Sequence, residues 1–160
     1  MLETDIDALH LIFTDPKVMA SFGGELFTRE QMVYWLKRNL DHQNEFGYGL
    51  FSVILKSDGT LIGDCGLEQM ESEGAAELGY DFRSDFWNQG YATEAAIAVR
   101  DYAFNILKLP QLISLIRVGN LASRRVAERV GMTLIEEVTR SDIQYGKYRI
   151  WRLMNSKAPS

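Results

Sequence analysis

The stretch from residue 86 to residue 94, Phe-Trp-Asn-Gln-Gly-Tyr-Ala-Thr-Glu, has the composition of an anion-binding turn. It lies between a predicted strand (76–82) and a predicted helix, with Gly90 at its centre. The first turn of a helix has unpaired N–H groups, and the helix dipole adds partial positive charge there. A phosphate or pyrophosphate therefore binds readily at such a turn. One glycine in a strand-to-helix loop is, by itself, only a weak indication of a site.

Two further groups of residues could take part in chemistry. Asn120 and Ser123 open a predicted helix, and the side chain of either could cap its first turn. Glu68 and Glu77 flank the loop from 69 to 76, so in a hairpin their carboxylates could face each other across two strands. A Glu at a strand end is more often exposed to solvent than engaged in chemistry.

Metal chemistry has little support in this sequence. His10 and His42 are the only histidines, and neither has a Cys, His or carboxylate partner at metal-ligand spacing. We therefore predict surface or helix-end positions for both, and no metal site. Cys65 lies within an apolar run, which favours a buried core thiol over a nucleophile.

The elements that must position these residues begin with helices. Apolar residues at helical spacing predict four helices, over residues 5–14, 29–43, 90–107 and 120–130. One additional helical turn is predicted over residues 17–20. Thr28 and Gln31 form a capping-box pattern, and Gly131 is a predicted C-terminal cap.

Strands are predicted over residues 48–56, 61–68, 76–82, 112–118, 133–139 and 148–154, with a turn over 141–147. Asp58-Gly59 between the first two is a strong hairpin signal. Three strands follow one another without an intervening helix, which favours an α+β fold. A doubly wound nucleotide-binding fold would alternate strands and helices from the start. We predict one domain over 1–154 and a loose tail over 155–160.

Length and charge exclude several classes of protein. A chain of 160 residues suits one domain with a sizeable core, and a net charge of −5 disfavours a nucleic-acid surface. One cysteine allows no internal disulfide. No stretch approaches the ~18 apolar residues of a membrane span, and the acidic start lacks the order of a signal peptide. We predict a cytoplasmic protein with no nucleic-acid and no membrane partner.

Three segments together are typical of one superfamily: Glu77-Leu-Gly-Tyr80, Trp87-Asn-Gln-Gly-Tyr-Ala-Thr-Glu94, and Asn120-Leu-Ala-Ser123 continued by Glu128-Arg-Val-Gly-Met132. Through them, nearly the whole chain resembles the GNAT superfamily of N-acetyltransferases, in particular the RimJ/RimL type that acts on ribosomal protein N-termini. The resemblance implies a mixed, mostly antiparallel sheet of about six strands, whose central strands splay, and four helices. Relatives usually start with an extra strand, whereas this sequence begins almost at its first helix.

The resemblance implies acetyl-CoA as cofactor. The pantetheine arm would enter between the strand that contains Tyr80 and Phe82 and the strand 112–118. The pyrophosphate would meet backbone N–H groups of the loop, those of Gln89, Gly90, Tyr91, Ala92 and Thr93. Asn88 replaces a glycine that is usual in the superfamily, and Asn adopts left-handed backbone conformations more readily than most residues.

The second motif would contact the other end of the cofactor. The resemblance places Asn120 near the pantetheine amide and Ser123 near the sulfur. The alternative role for both residues is to cap the helix. Arg124, Arg125 and Arg129 could reach the 3′-phosphate of CoA or form a solvated face.

The implied reaction is direct attack of a neutral primary amine on the thioester in a ternary complex. It needs a base for the amine proton, for which Glu77 is the first candidate and Glu68 the second. Many relatives have a tyrosine acid four residues after Ser123, and this chain has Ala127 there. The acid is then Ser123, our first choice, a water molecule, or Tyr145 or Tyr148.

The acceptor is predicted to be a protein N-terminus or a small cationic amine. Its pocket is expected in the segments 21–30, 69–75 and 139–147. Five carboxylates would make it acidic: Glu25, Glu68, Glu71, Glu73 and Asp142. The alternative function is a non-catalytic acyl-CoA-binding or regulatory module, which Ala127 and the missing first strand motivate.

Without that first strand, the strand 48–56 would be an edge of the sheet. We expect this edge to be covered by the N-terminal helices or by a second subunit in a homodimer.

Overall fold

One sheet of six strands organises the chain in the computed structural model, which describes residues 1–152. The strands are β1 (Leu50–Ile54), β2 (Leu61–Met70), β3 (Ala75–Phe82), β4 (Gln111–Arg117), β5 (Thr133–Arg140) and β6 (Ile143–Trp151). Their order is β1-β2-β3-β4-β6-β5. Every pairing is antiparallel except that of β3 with β4. The predicted α+β fold with a mixed, mostly antiparallel sheet is confirmed.

The helices are α1 (Ile6–Phe13), α2 (Pro16–Met19), α3 (Arg29–Phe46), α4 (Tyr91–Asn105) and α5 (Leu121–Val130). The one-turn helix α2 corresponds to the predicted extra turn, and the other four to the predicted helices. The capping box at α3 is confirmed, because Gln31 N–H donates to Thr28 Oγ1 at 3.2 Å and Thr28 N–H donates to Gln31 Oε1 at 2.7 Å. Gly131 ends α5 with φ 99°, a left-handed conformation that glycine adopts without strain.

Each face of the sheet packs against a different set of helices. Leu67, Leu78 and Leu112 join α4 and α5 in one buried cluster, which also contains the Cys65 side chain. Helices α1, α2 and α3 form a second cluster with the start of β2, around Leu9 and Met32. Burial of Cys65 confirms the predicted core thiol.

The two central strands separate after a short pairing. β3 and β4 pair only at Ala76 with Leu112 and at Glu77 with Ile113. On its other side, β3 stays paired with β2 as far as Phe82. A gap therefore opens between β3 and β4 towards their carboxyl ends, as the predicted splay requires.

Two details differ from the sequence prediction. The last strand begins at Ile143 rather than at 148, and the predicted turn over 141–147 shrinks to Ser141 and Asp142, whose φ angles are 47° and 62°. His10 and His42 lie towards helix ends as predicted, but both are half-buried. His42 Nε2 accepts the N–H of Gln69 in β2 at 2.8 Å, because α3 crosses that end of the sheet.

Strand β1 is one edge of the sheet. Ser52 Oγ donates to Asp5 Oδ2 at 2.7 Å, which ties the 3-10 turn Glu3–Asp5 to this strand. Residues 155–160, the predicted tail, lie outside the described residues. In the described part of the chain, no helix has the length and apolar character needed to cross a membrane.

Candidate active site

The gap between β3 and β4 opens into a cleft of about 610 Å³. Its walls come from β3, from the loop that leads into α4, from β4 and from the start of α5. Tyr145 of β6 adds a phenol to the same cleft. The splay of the sheet and the start of α4 thus meet in one cavity.

The start of α4 is an uncapped helix N-terminus. Gly90 is the N-cap residue, with φ 87°, and no side chain caps the helix. The first intrahelical bond runs from Glu94 N–H to Gly90 O, so the N–H groups of Tyr91, Ala92 and Thr93 have no intrahelical acceptor. All three residues line the cleft. Asn88 has φ 61°, which confirms the left-handed conformation expected for an Asn at this position.

The loop before α4 is held to the strand that precedes it. Trp87 Nε1–H donates to Phe82 O at 2.8 Å. The Gln89 side chain donates to Asp85 O at 3.3 Å, and Gln89 does not line the cleft. The turn is therefore anchored on both sides of Asn88.

Asn120 and Ser123 meet at the start of α5, on the opposite wall of the cleft. Asn120 Oδ1 accepts the Ser123 N–H at 3.1 Å, so Asn120 is a helix cap. The Tyr80 hydroxyl donates to Ser123 O at 2.7 Å and joins β3 to α5. Burial raises the pKa of Tyr80, so this phenol stays protonated and serves as a hydrogen-bond donor.

Glu77 occupies the point at which β3 and β4 separate. Its Oε1 accepts the N–H of Leu115 at 3.0 Å, a side-chain bond that bridges the two strands where their backbone pairing has ended. Burial raises the pKa of Glu77, and the Leu115 N–H opposes that rise. A half-buried carboxyl group of raised proton affinity at a cleft has the properties of a general base.

Glu68 is the direct cross-strand partner of Glu77, as the hairpin prediction required. It is also paired with Arg38, whose Nη2 lies 3.1 Å from Glu68 Oε1. The two carboxylates therefore lie side by side, and within residues 1–152 only Glu68 of the two forms an ion pair.

Basic residues of α5 extend the cleft. Arg125 and Arg129 line it, whereas Arg124 pairs with Glu128 at 2.8 Å along the helix. Two of the three arginines singled out in the sequence are thus available to an anionic ligand of the cleft.

A second cavity, of about 340 Å³, lies between the sheet and the N-terminal helices. Four residues line both cavities: Phe22, Glu68, Gly79 and Asp81. Of the three segments expected to form an acceptor pocket, 21–30 contributes Phe22, Glu25 and Phe27 to this cavity, and 139–147 contributes Tyr145 to the first cleft. Glu73, from the second segment, is held in ion pairs with Lys147, Arg140 and Arg149.

Comparison with known proteins adds to this geometry. The sequence profile of the acetyltransferase (GNAT) domain matches residues 1–133. The chain belongs to the GNAT family. The uncharacterized protein YkkB of Bacillus subtilis is 41% identical over 126 residues, which are 76% of this chain and 72% of YkkB.

Two further proteins illustrate this membership. The N-acetyltransferase YnaD of B. subtilis is 30% identical over 128 residues, 80% of this chain and 73% of YnaD. The crystal structure of an acetyltransferase from Agrobacterium tumefaciens superposes with a TM-score of 0.82 and 31% identity, over 94% of this chain and 86% of the other.

Most site residues predicted from the sequence line the cleft of this GNAT domain. They are Glu68, Glu77, Tyr80, Phe82, Gly90, Tyr91, Ala92, Thr93, Asn120 and Ser123. Of the alternative acids, Tyr145 lines the cleft and Tyr148 is buried in the core. Asp64 and Asp81 are acidic cavity residues that sequence reasoning missed. Their signal was an Asp inside each of two predicted strands that are apolar apart from these residues, Glu68 and Glu77.

Proposed function

We propose that this GNAT protein transfers the acetyl group of acetyl-CoA to a primary amine by direct attack in a ternary complex. The observation that carries the proposal is the uncapped start of α4 at the mouth of the β3–β4 gap. Acetyl-CoA is the donor used in this family, and solved structures of this fold include complexes with CoA. The protein's own groups would then bind the donor at one end of the cleft and activate the amine at the other.

Donor binding would use backbone groups more than side chains. The N–H groups of Gly90 to Thr93 suit the pyrophosphate, because they converge on the positive end of the helix dipole. The unpaired edges of β3 and β4 suit the amides of the pantetheine arm, and Asn120 lies on the adjoining wall. Arg125 and Arg129 suit the 3′-phosphate.

Amine activation is assigned to Glu77. Its carboxylate would take the proton of the incoming ammonium, directly or through water, and the neutral nitrogen would attack the thioester carbonyl. The carbon–sulfur bond then breaks, and the departing thiolate takes a proton from Ser123, our first choice, or from Tyr145. Glu68 is the alternative base, although it is already in an ion pair with Arg38.

A non-catalytic CoA-binding module is the competing function. Ala127, in place of the usual tyrosine, motivated it, and the presence of Tyr145 in the cleft weakens that motive. The test is release of free CoA thiol from acetyl-CoA with a panel of primary amines, alongside calorimetric titration with CoA. We expect amine-dependent thiol release; CoA binding without turnover on any amine would favour the module.

Three finer assignments belong to the same proposal. We place the protein in the cytoplasm, on its single cysteine and acidic pI of about 5.1. We assign it to the RimJ/RimL branch on the segments quoted above. A homodimer would cover the edge of β1, where Phe51 and Ile54 are exposed. A monomer at all concentrations in light scattering would argue against the dimer.

A further inference from the structure

The second cavity has an acidic face made by two neighbouring strands. On β2 and β3, Asp64 is the direct partner of Asp81, and Glu68 is the direct partner of Glu77. Gly66 and Gly79 form the pair between them. Residues two apart on a strand share one face of the sheet, so the three pairs lie in a row facing the N-terminal helices.

The two glycines have different surroundings. A Cβ added to Gly66 would lie 2.2 Å from Gly49 O, because the chain entering β1 passes directly over it. A Cβ added to Gly79 would meet nothing within 4 Å. Gly79 therefore keeps open the passage between the two acidic pairs, and it lines both cavities.

Asp64 is a buried carboxyl group without a partner. Its side chain is 0% exposed, it lines the second cavity, and neither of its oxygens has a hydrogen-bond partner. In residues 1–152, no Lys, Arg or His forms an ion pair with Asp64 or with Asp81. An ionised carboxylate in such a place is costly unless a cation and hydrogen-bond donors reach it.

Charges on the surrounding elements do not supply that cation. Arg38 of α3 lines the cavity, but it is paired with Glu68, and the other charged residue from the helical side is Glu25. Burial raises the pKa of Asp64 well above its usual value, and the nearby Asp81 and Glu68 carboxyls add to the rise. Burial likewise raises the pKa of Asp81. Since the pKa of Asp81 is raised to about 7, an incoming cation would displace a proton from this pair near pH 7.

The walls and size of the cavity restrict the kind of cation. Phe13, Phe22, Phe27 and Trp35 line it, which suits methylene groups and an ammonium ion over an aromatic ring. About 340 Å³ is the volume of a small-molecule site. Among the described residues, no group of three His, Cys, Asp or Glu side chains is arranged to hold a metal ion.

The row of pairs has two ends, and each suits one nitrogen. The Asp64–Asp81 and Glu68–Glu77 pairs are four residues apart along the strands, which is roughly 13 Å at about 3.3 Å per residue. The Glu77 end adjoins the cofactor cleft, and the Asp64 end is closed. A ligand with a single ammonium group would leave one end unpaired.

We propose that this cavity binds the acceptor as an aliphatic diamine or polyamine, with its distal ammonium against Asp64 and Asp81 and its reacting amine beside Glu77. The assignment rests on the acetyl transfer proposed above. The distal nitrogen keeps its proton throughout and takes no part in bond making. The reacting ammonium loses two protons as it becomes the amide: Glu77 takes the first, and the second balances the proton that the CoA sulfur gains as the carbon–sulfur bond breaks.

The test is calorimetric binding of α,ω-diamines of four to ten carbons to the protein saturated with CoA, each compared with the monoamine of equal chain length. We expect the best diamine to bind at least tenfold more tightly than its monoamine, because removing one partner of a buried charge pair usually weakens binding by more than about tenfold. Binding near pH 7 should release protons, seen as a dependence of the heat on the buffer's ionisation enthalpy.

Substitutions then locate the effect. In Asp64→Asn and Asp81→Asn, the diamine advantage should fall to about twofold or less and the proton release should shrink. The control Glu45→Gln removes an exposed charge that lines neither cavity and should leave both unchanged. Asp64 does not line the cofactor cleft, so an unchanged CoA affinity in Asp64→Asn shows that the variant is folded.

Several results would overturn the proposal. Equal affinity for diamines and monoamines would do so, and so would a diamine advantage that survives both Asn substitutions. Binding of Mg²⁺ or Ca²⁺ that is lost in Asp64→Asn would make this a metal site instead. Acetylation of peptide N-termini with no response to diamines would retain the proposed function and refute this inference. Diamines that bind through Asp64 but are never acetylated would refute the diamine as acceptor, and the proposed function would fail only if no primary amine of the panel were acetylated.

Discussion

The surroundings of Glu77 determine how its carboxyl group can act at the centre of the cleft. The carboxyl group lies where β3 and β4 separate, and it bridges them through the Leu115 N–H. Burial raises the pKa of Glu77, so its carboxylate accepts a proton more readily than that of an exposed Glu. Glu68, its neighbour, has a cation in contact. The two carboxylates therefore differ in environment, and that difference is why we propose Glu77 as the base.

The substitution Glu77→Gln tests this assignment. The amide oxygen can still accept the Leu115 N–H, so the fold should persist while the base is lost. We expect kcat to fall by about 10²–10⁴, the usual contribution of a general base. In the wild type, kcat/KM should decrease as pH falls through a value above the ordinary pKa of Glu, because the base must be ionised. The variant should lose this acidic limb.

The matched comparison is Glu68→Gln, which should reduce kcat much less. A wild-type kcat in Glu77→Gln, together with a large loss in Glu68→Gln, would transfer the role to Glu68. Both profiles can be measured by CoA thiol release between about pH 5 and pH 9.

Ser123 and Tyr145 are the two hydroxyl groups that compete for the role of acid. Ser123→Ala retains the N–H that Asn120 caps, and Tyr145→Phe retains the ring, so neither should unfold the protein. We expect kcat to fall by about 10- to 100-fold in Ser123→Ala and by less than about threefold in Tyr145→Phe. The reverse ranking in steady-state kinetics would make Tyr145 the acid.

At the scale of elements, the turn before α4 joins a strand to a helix through two residues in left-handed conformations. Asn88 has φ 61° and Gly90 has φ 87°. Asn tolerates such a φ, whereas most other side chains lose about 1–2 kcal/mol there. The turn is therefore shaped by backbone conformation, and its N–H groups are left free by the absence of a side-chain cap.

Gly90→Ala should disturb this turn. The added Cβ meets nothing within 4 Å, so the cost comes from φ and should be about 1 kcal/mol of unfolding free energy. CoA affinity should fall as well, since Gly90 opens the anion-binding turn. Asn88→Gly is the control with no penalty from positive φ, and it should change both quantities little. Urea unfolding and CoA titration measure them, and equal effects of the two substitutions would contradict this account of the turn.

The order of elements could be predicted because each had a local signal. Asp58-Gly59 marked the first hairpin, and Thr28 with Gln31 marked the start of α3. The start of β6 was missed because Gly146 and polar neighbours obscure its alternation, and Ser141-Asp142 alone makes the turn. Asp64 and Asp81 were missed for another reason. They are 17 residues apart in sequence, and only the strand register makes them partners.

At the scale of the whole molecule, one ion cluster joins distant parts of the sheet. Lys147 of β6 is 6% exposed. Its Nζ lies 2.8 Å from Glu73 Oε1 and 2.8 Å from Glu136 Oε1. Glu73 lies in the connection between β2 and β3, and Glu136 in β5. The cluster therefore ties the β2–β3 connection to the closing hairpin.

Glu73→Gln should weaken this tie by about 1–2 kcal/mol, because a nearly buried ammonium loses one of its two carboxylates. Glu136 and Glu73 raise the pKa of Lys147 above its ordinary value. A raised lysine pKa stabilises the fold below the unfolded-state pKa, and this is lost as pH rises through the folded value. Between about pH 6 and pH 9 the loss should therefore be nearly constant.

Thermal and urea unfolding measure this loss. Glu136→Gln is the matched control, because its carboxylate is 53% exposed and its ion pair is therefore screened by solvent, so its loss should be the smaller one. A loss in Glu136→Gln larger than in Glu73→Gln would contradict the role given to burial.

The residues shared by the two cavities also bear on inhibition. Gly79 and Asp81 line both spaces, so the cofactor cleft and the acidic cavity adjoin at that point. A single compound that joins the sulfur of CoA to a diamine through a short acyl spacer would fill both at once. Tethering makes the second contact intramolecular, and the affinity of such a bisubstrate ligand could exceed that of either half by about 10²–10⁴. Its selectivity among GNAT enzymes would depend on the Asp64–Asp81 end, where the linked ammonium ion would bind.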